Sequence, residues 1–138
     1  MRWRHLALLT PLVLTVLSSD SATAQNSSNR ARDTVASMQR ETDAVIQKFP
    51  RMGDVDSAIR GDCETKNEGR GADSDFCRCA SAVTISLWRS GIDPQMVPRL
   101  AAYLNSPGAS AGSLLTYQGP ELYRPMCNLA VAPSKRKR

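Results

Sequence analysis

Phe76-Cys77-Arg78-Cys79-Ala80-Ser81-Ala82-Val83-Thr84-Ile85-Ser86-Leu87-Trp88 is the stretch on which the fold turns. Wound as a helix at about 100° per residue, it gathers Phe76, Ala80, Val83, Leu87 and Trp88 on one broad apolar face. Cys77 and Cys79 fall about 200° apart on that wheel, on opposite flanks of the face. Two cysteines so placed do not bond each other. Each reaches a different neighbour, and the chain supplies two, Cys63 before the helix and Cys127 after it. The stretch therefore reads as a central helix at about residues 75–90, stapled on both sides. Asp73 or Ser74 is its candidate N-cap, and Gly91 stops it.

Upstream, residues 67–74 form a loop by composition. Before the loop, Gly53-Asp54-Val55-Asp56-Ser57-Ala58-Ile59-Arg60 reads as a turn followed by a short helix. Asp54 or Asp56 is placed to cap it, with Val55, Ile59 and Cys63 inward at a spacing of four. Further back, Ala31, Val35, Met38, Thr42, Val45 and Phe49 recur at alternating spacings of four and three. That is a narrow apolar seam, with Arg32, Asp33, Arg40, Glu41 and Asp43 elsewhere on the wheel. It predicts a longer amphipathic helix at about residues 30–49, ended by Pro50. Fewer than three heptads make packing on the domain the better reading than a dimerising coiled coil.

Downstream, Asp93-Pro94 restarts a helix whose apolar residues are Met96, Val97, Leu100, Ala101 and Leu104. Pro98 either kinks this helix or delays its start. Ser110 opens a short helix through Leu114 and Leu115 to Tyr117. A last helix over residues 121–131 is interrupted, or begins late, at Pro125. Nothing alternates for long enough to be a strand, and no internal repeat is present. The expected fold is all-α, a small disulfide-stapled bundle of five or six mostly short helices around the central one.

The segments outside this body have their own signatures. Residues 1–24 read as a cleaved secretory signal peptide: a basic start, a twelve-residue apolar run over 6–17, and small residues at Ala22 and Ala24. Residues 25–29 are expected to be a disordered start, 30–132 the single helical domain, and 133–138 a disordered basic tail. No second apolar stretch is long enough to span a membrane. Export implies a periplasmic or secreted protein, and four cysteines in an oxidising compartment imply two disulfides. Two pairings fit: Cys63–Cys77 with Cys79–Cys127, or Cys63–Cys79 with Cys77–Cys127. Closing the shorter loop is worth about 3 kcal/mol and the longer one about 4 kcal/mol. A short-helix body with few aromatics is marginal by burial alone and needs that contribution.

Charge excludes one class of partner. The chain carries 18 Lys and Arg against 13 Asp and Glu, with pI about 9.3. Without residues 1–24 the count is 16 against 12, and without Lys135, Arg136, Lys137 and Arg138 it is 12 against 12. The body is balanced, so the basic pI does not indicate a nucleic-acid surface. The four terminal cations suit weak, salt-sensitive contact with an anionic membrane or polymer.

Histidine is equally informative. His5, the only one, leaves with the signal segment. The exported chain then has no Ser-His-Asp or Cys-His pair and no imidazole ligand for zinc or haem. Asp62 to Asp73 resembles a calcium loop but has Asn67 where glycine is needed and Asp73 where glutamate is needed. No cofactor is expected. The sequence points to a non-enzymatic accessory or interaction protein of the cell envelope, whose contact surface is an apolar groove between helices or the first helix. Its partner is a protein or another envelope component. Two alternatives make different demands. Thiol redox or soft-metal handling needs reduced Cys77 or Cys79, with Met52, Met96 or Met126 as further soft donors. A small envelope hydrolase needs two of the carboxylates Glu41, Glu64, Glu68 and Glu121 opposed across a cleft.

Overall fold

A computed structural model describes residues 19–117 and 119–131, and among them every regular element is helical. The helices are α1 (Ser19–Lys48), α2 (Met52–Lys66), α3 (Asp75–Ser90), α4 (Met96–Asn105) and α5 (Arg124–Ala130). Two 3₁₀ helices, Ala111–Tyr117 and Pro120–Leu122, lie between α4 and α5. The chain is thus an all-α, disulfide-stapled bundle.

α3 begins and ends where its sequence signals lie. The Ser74 hydroxyl accepts the Cys77 amide at 3.2 Å, and Gly91 closes the helix in the left-handed region at φ 79°. A residue with a Cβ is disfavoured in that conformation, whereas glycine takes it without a steric cost. Burial extends further round α3 than one face. Ser81, Ala82, Thr84 and Ile85 are buried along with Phe76, Ala80, Val83 and Trp88, and Leu87 is only partly so. A helix enclosed on nearly all sides is the middle of the bundle, with α1, α2, α4 and α5 packed around it.

Both staples attach to this helix. Cys63 of α2 is bonded to Cys77, and Cys79 is bonded to Cys127 of α5. That selects the first of the two pairings the sequence allows. All four cysteines are buried, and none is free.

The core is divided into two layers along the bundle. One contains the cysteines with Val35, Phe76, Ala80, Val83 and Tyr123. The other is free of sulfur bridges and contains Met52, Val55, Ile59, Ile85, Trp88, Met96, Leu100, Tyr103 and Leu114. α1 and α3 both run from the bridged layer to the unbridged one. Val35 precedes Val45 and Ile46 on α1, as Phe76 precedes Ile85 and Trp88 on α3. α2 runs the opposite way, from Met52 to Cys63.

Four details differ from the sequence reading. α1 starts at Ser19, so residues 25–29 are helical rather than a disordered start. Extending a formed helix costs little compared with nucleating one, and Ser28 is tied down by donating to the Leu129 carbonyl at 2.8 Å. Phe49 is 45% exposed and leaves the apolar seam, because α1 ends at Lys48 and the chain turns into Pro50. α2 starts at Met52, so Gly53, Asp54 and Asp56 all lie inside it and neither aspartate stands at the cap position, which is Arg51 with no side-chain cap bond. Pro98 and Pro125 produce late starts and no kink, each lying in the first turn of its helix, where a missing amide is harmless. The 1–18 part of the expected signal segment and the 133–138 tail lie outside the described residues.

Polar clamps close the joints. Arg51, at the α1–α2 corner, stacks 4.3 Å from the Tyr103 ring centroid. Its Nη1 donates to the carbonyls of Tyr103 at 2.6 Å and Ser106 at 2.9 Å, and its Nη2 to that of Ala109 at 3.2 Å. These carbonyls lie at the end of α4 and in the loop that follows, and those of Tyr103 and Ser106 each accept a backbone amide as well. At the far joint the buried Asn67 side chain donates to the Tyr123 hydroxyl at 2.9 Å and accepts from Arg124 Nε at 3.0 Å, tying α2 to α5.

Candidate functional site

Parallel packing of α1 on α3 leaves a furrow between them. Its wider half is a cleft of about 350 Å³ lined by Gln39, Thr42 and Asp43 of α1, Asp56 and Arg60 of α2, and Asp75, Arg78 and Ala82 of α3. A second hollow of about 340 Å³ continues it toward α5, lined by Arg32, Val35, Ala36, Cys79, Ala130 and Val131. Gln39 and Asp75 belong to both hollows, so the two form one groove. The groove lies beside the bridged core layer, whose disulfides anchor the α3 wall to α2 and α5, while the α1 wall is held by packing.

Its floor is an ion-pair relay. Asp56 Oδ1 accepts from the Ser81 hydroxyl at 2.6 Å, and Oδ2 accepts from Arg60 Nε at 3.0 Å and Nη2 at 2.9 Å. Arg60 Nη1 then reaches Asp73 Oδ1 at 2.8 Å, joining α2 to the loop before α3. With donors on both oxygens, Asp56 is a structural carboxylate and is not presented as a base. The rim differs. Among the described residues no ion pair engages Asp43, Asp75 or Arg78, and all three are exposed. The groove therefore offers two carboxylates and one guanidinium to whatever enters it, beside the Gln39 amide and the Thr42 hydroxyl. The wider half of the groove is lined mainly by charged and polar side chains, and only the half toward α5 is lined mainly by the apolar residues that the sequence reading expected of a groove.

The residues singled out from the sequence are distributed as follows. Cys77 and Cys79 offer no thiol, each being bonded to a different helix. Met52 and Met96 belong to the unbridged core layer, and of these three candidate donors Met126 alone packs against the cysteine layer, as Met38 of α1 also does. Glu41, Glu64, Glu68 and Glu121 are exposed, and none lines the groove. Asp62 is paired with Lys66 at 3.0 Å and Asp73 with Arg60, so both ends of the calcium-like stretch are already engaged. Among the described residues no cluster of His, Cys, Asp and Glu is arranged to hold a metal. Lys135, Arg136, Lys137 and Arg138 lie outside the described residues.

Asp43, Asp75 and Arg78 went unrecognised in the sequence because they sit on two helices, and each alone is an ordinary surface charge. Helical spacing carries a weak trace of them. Gln39 and Asp43 are four apart, as are Arg78 and Ala82, which places each pair on one side of its helix. Compared with protein-family models, with curated proteins and with solved structures, the chain matches none.

Proposed function

We propose that this is a small exported protein of the cell envelope that acts by binding a partner rather than by catalysis, with the α1–α3 groove as its contact surface. The observation that carries the reading is the rim. Asp75 and Arg78 are held on α3, to which both disulfides attach, and Asp43 on α1, which packs along α3, yet no ion pair among the described residues engages them. Surface charges that are rigidly placed and unpaired suit an extended peptide segment carrying both signs, because charge pairing at a rim selects and orients a partner. The two bridges favour an oxidising compartment. Among the described residues no helix is long and apolar enough to cross a membrane.

Cleavage after Ala24 agrees with the way α1 is held. Residues 23–27 are exposed, and two ties from α1 to the body lie beyond the cut, the Ser28 hydroxyl on the Leu129 carbonyl at 2.8 Å and Arg32 Nε on the Ala130 carbonyl at 3.2 Å. A cut at that point removes neither tie.

Two measurements test the reading. N-terminal sequencing and thiol alkylation of the native protein should give a chain starting at Gln25 with no reactive thiol. Retention of the leader together with free thiols would remove the export proposal. A photo-crosslinking residue at Gln39 should capture an envelope component, and Arg78→Glu should abolish that adduct. An adduct indifferent to Arg78→Glu, or none at all, would reject the groove as the contact surface.

A further inference from the structure

α4 crosses one end of the bundle with its outer side uncovered. It starts just past the C-terminus of α3, and Arg51 holds its last carbonyls at the α1–α2 corner. Met96, Leu100 and Tyr103 are buried beneath it, whereas Val97, Pro98, Ala101 and Ala102 on its other side are exposed. Ile92, 75% exposed, precedes the helix at this end, and the exposed Phe49 lies at the corner where the helix finishes. Four large hydrophobic side chains are exposed among the described residues, and all but Leu129 are here. A helix apolar on both sides is normally covered on both.

The surrounding charges indicate what covers it. Lys48 at the end of α1, Arg89 at the end of α3 and Arg99 on α4 stand at this end against Asp54 and Asp93, while the Arg51 guanidinium is taken up by the carbonyls at the end of α4. The Asp93 carboxylate is itself occupied, accepting the Gln95 amide at 3.0 Å. An apolar face with a net positive rim suits the boundary between headgroups and acyl chains of an anionic bilayer. A second copy seated face to face would instead bring two like-charged rims together.

We infer that the α4 face, with Ile92 at one end and Phe49 at the other, seats the protein on the surface of a bilayer containing anionic lipid. Ile92 and Val97 enter the boundary region, and the cations meet the headgroups. The binding is peripheral and does not depend on the groove, which lies beside the other core layer.

The test is co-sedimentation of the oxidised chain from Gln25 onward, free of the apolar run over residues 6–17, with vesicles of phosphatidylcholine and phosphatidylglycerol in equal parts, and with phosphatidylcholine alone. Lys135, Arg136, Lys137 and Arg138 are all replaced by Gln in this background, so that the tail does not bind anionic vesicles by itself. The chain should partition to the anionic vesicles more strongly than to the neutral ones. Ile92→Glu should weaken that partition by about tenfold or more. Leu129→Glu, at the opposite end, should leave it unchanged. Because Ile92 is largely exposed, its replacement does not threaten folding. Absence of vesicle binding, or binding indifferent to Ile92→Glu, overturns the inference. So does self-association without vesicle binding that Ile92→Glu abolishes.

Discussion

Arg51 and Tyr103 hold each other twice: the guanidinium lies 4.3 Å from the phenol ring centroid, and its Nη1 donates to the Tyr103 carbonyl at 2.6 Å. The same guanidinium serves Ser106 and Ala109, so one side chain closes the end of α4 and fixes the following loop. Arg51→Ala should cost about 2–3 kcal/mol, because partly buried carbonyls lose a charged donor and the ring loses its cation. Arg51→Lys should recover less than half of this, since an ammonium cannot fork across several acceptors. Urea titrations of the three proteins would measure both values.

Removing the two bridges should have unequal effects. Cys63–Cys77 spans 14 residues and Cys79–Cys127 spans 48. Paired serine replacement should cost about 3 kcal/mol for the first and about 4 kcal/mol for the second on the chain-entropy argument. Thermal melts of the two double variants, compared with the parent, would show the ranking. Peptide mapping of the unreduced protein should recover these two links and no link between Cys77 and Cys79.

Ser81 and Asp56 should prove coupled. Asp56→Ala strips the buried Ser81 hydroxyl of its acceptor and Arg60 of one of its two carboxylates, at a cost of about 2 kcal/mol. Ser81→Ala should cost about 1 kcal/mol, because the partly exposed Asp56 can take water in exchange. In the double variant the second change should add less than it does alone. A double-mutant cycle by chemical denaturation gives the interaction energy directly.

Thr84 points the other way. Its Oγ1 is buried with no hydrogen-bond partner among the described residues. Thr84→Val keeps the branched shape and removes an unsatisfied hydroxyl, and it should stabilise the protein by about 1 kcal/mol. A fall in melting temperature would contradict that account of the site.

The limits of α3 were legible because they rest on local chemistry: a serine that accepts an amide three residues on, and a glycine free to take positive φ. The opposed placement of Cys77 and Cys79 was legible for the same reason, being fixed by helix geometry alone. Which of them bonds Cys63 was not. That depends on the side of α3 against which α2 packs, and both pairings give acceptable loops. The loss of Phe49 from its seam was hidden because spacing does not mark the last helical residue, which here is Lys48. The groove was hidden more deeply. Asp43 approaches Asp75 and Arg78 only because α1 and α3 run parallel, and direction of packing is a property of the assembled layers. Even the Arg51 clamp gives no trace in spacing, since its acceptors lie more than fifty residues away.

The Cys79–Cys127 bond makes α4 and both 3₁₀ helices one covalent ring, and Cys63–Cys77 closes a smaller ring just before it. A protease that cuts any single bond inside either ring adds the mass of one water and releases no fragment. The exposed turn at Ile92 and the loop over residues 106–110 lie within the larger ring. A nicked molecule would therefore run as one species until reduced, then separate into two chains. Damage at the lipid-facing end of the protein would not detach that end from the groove.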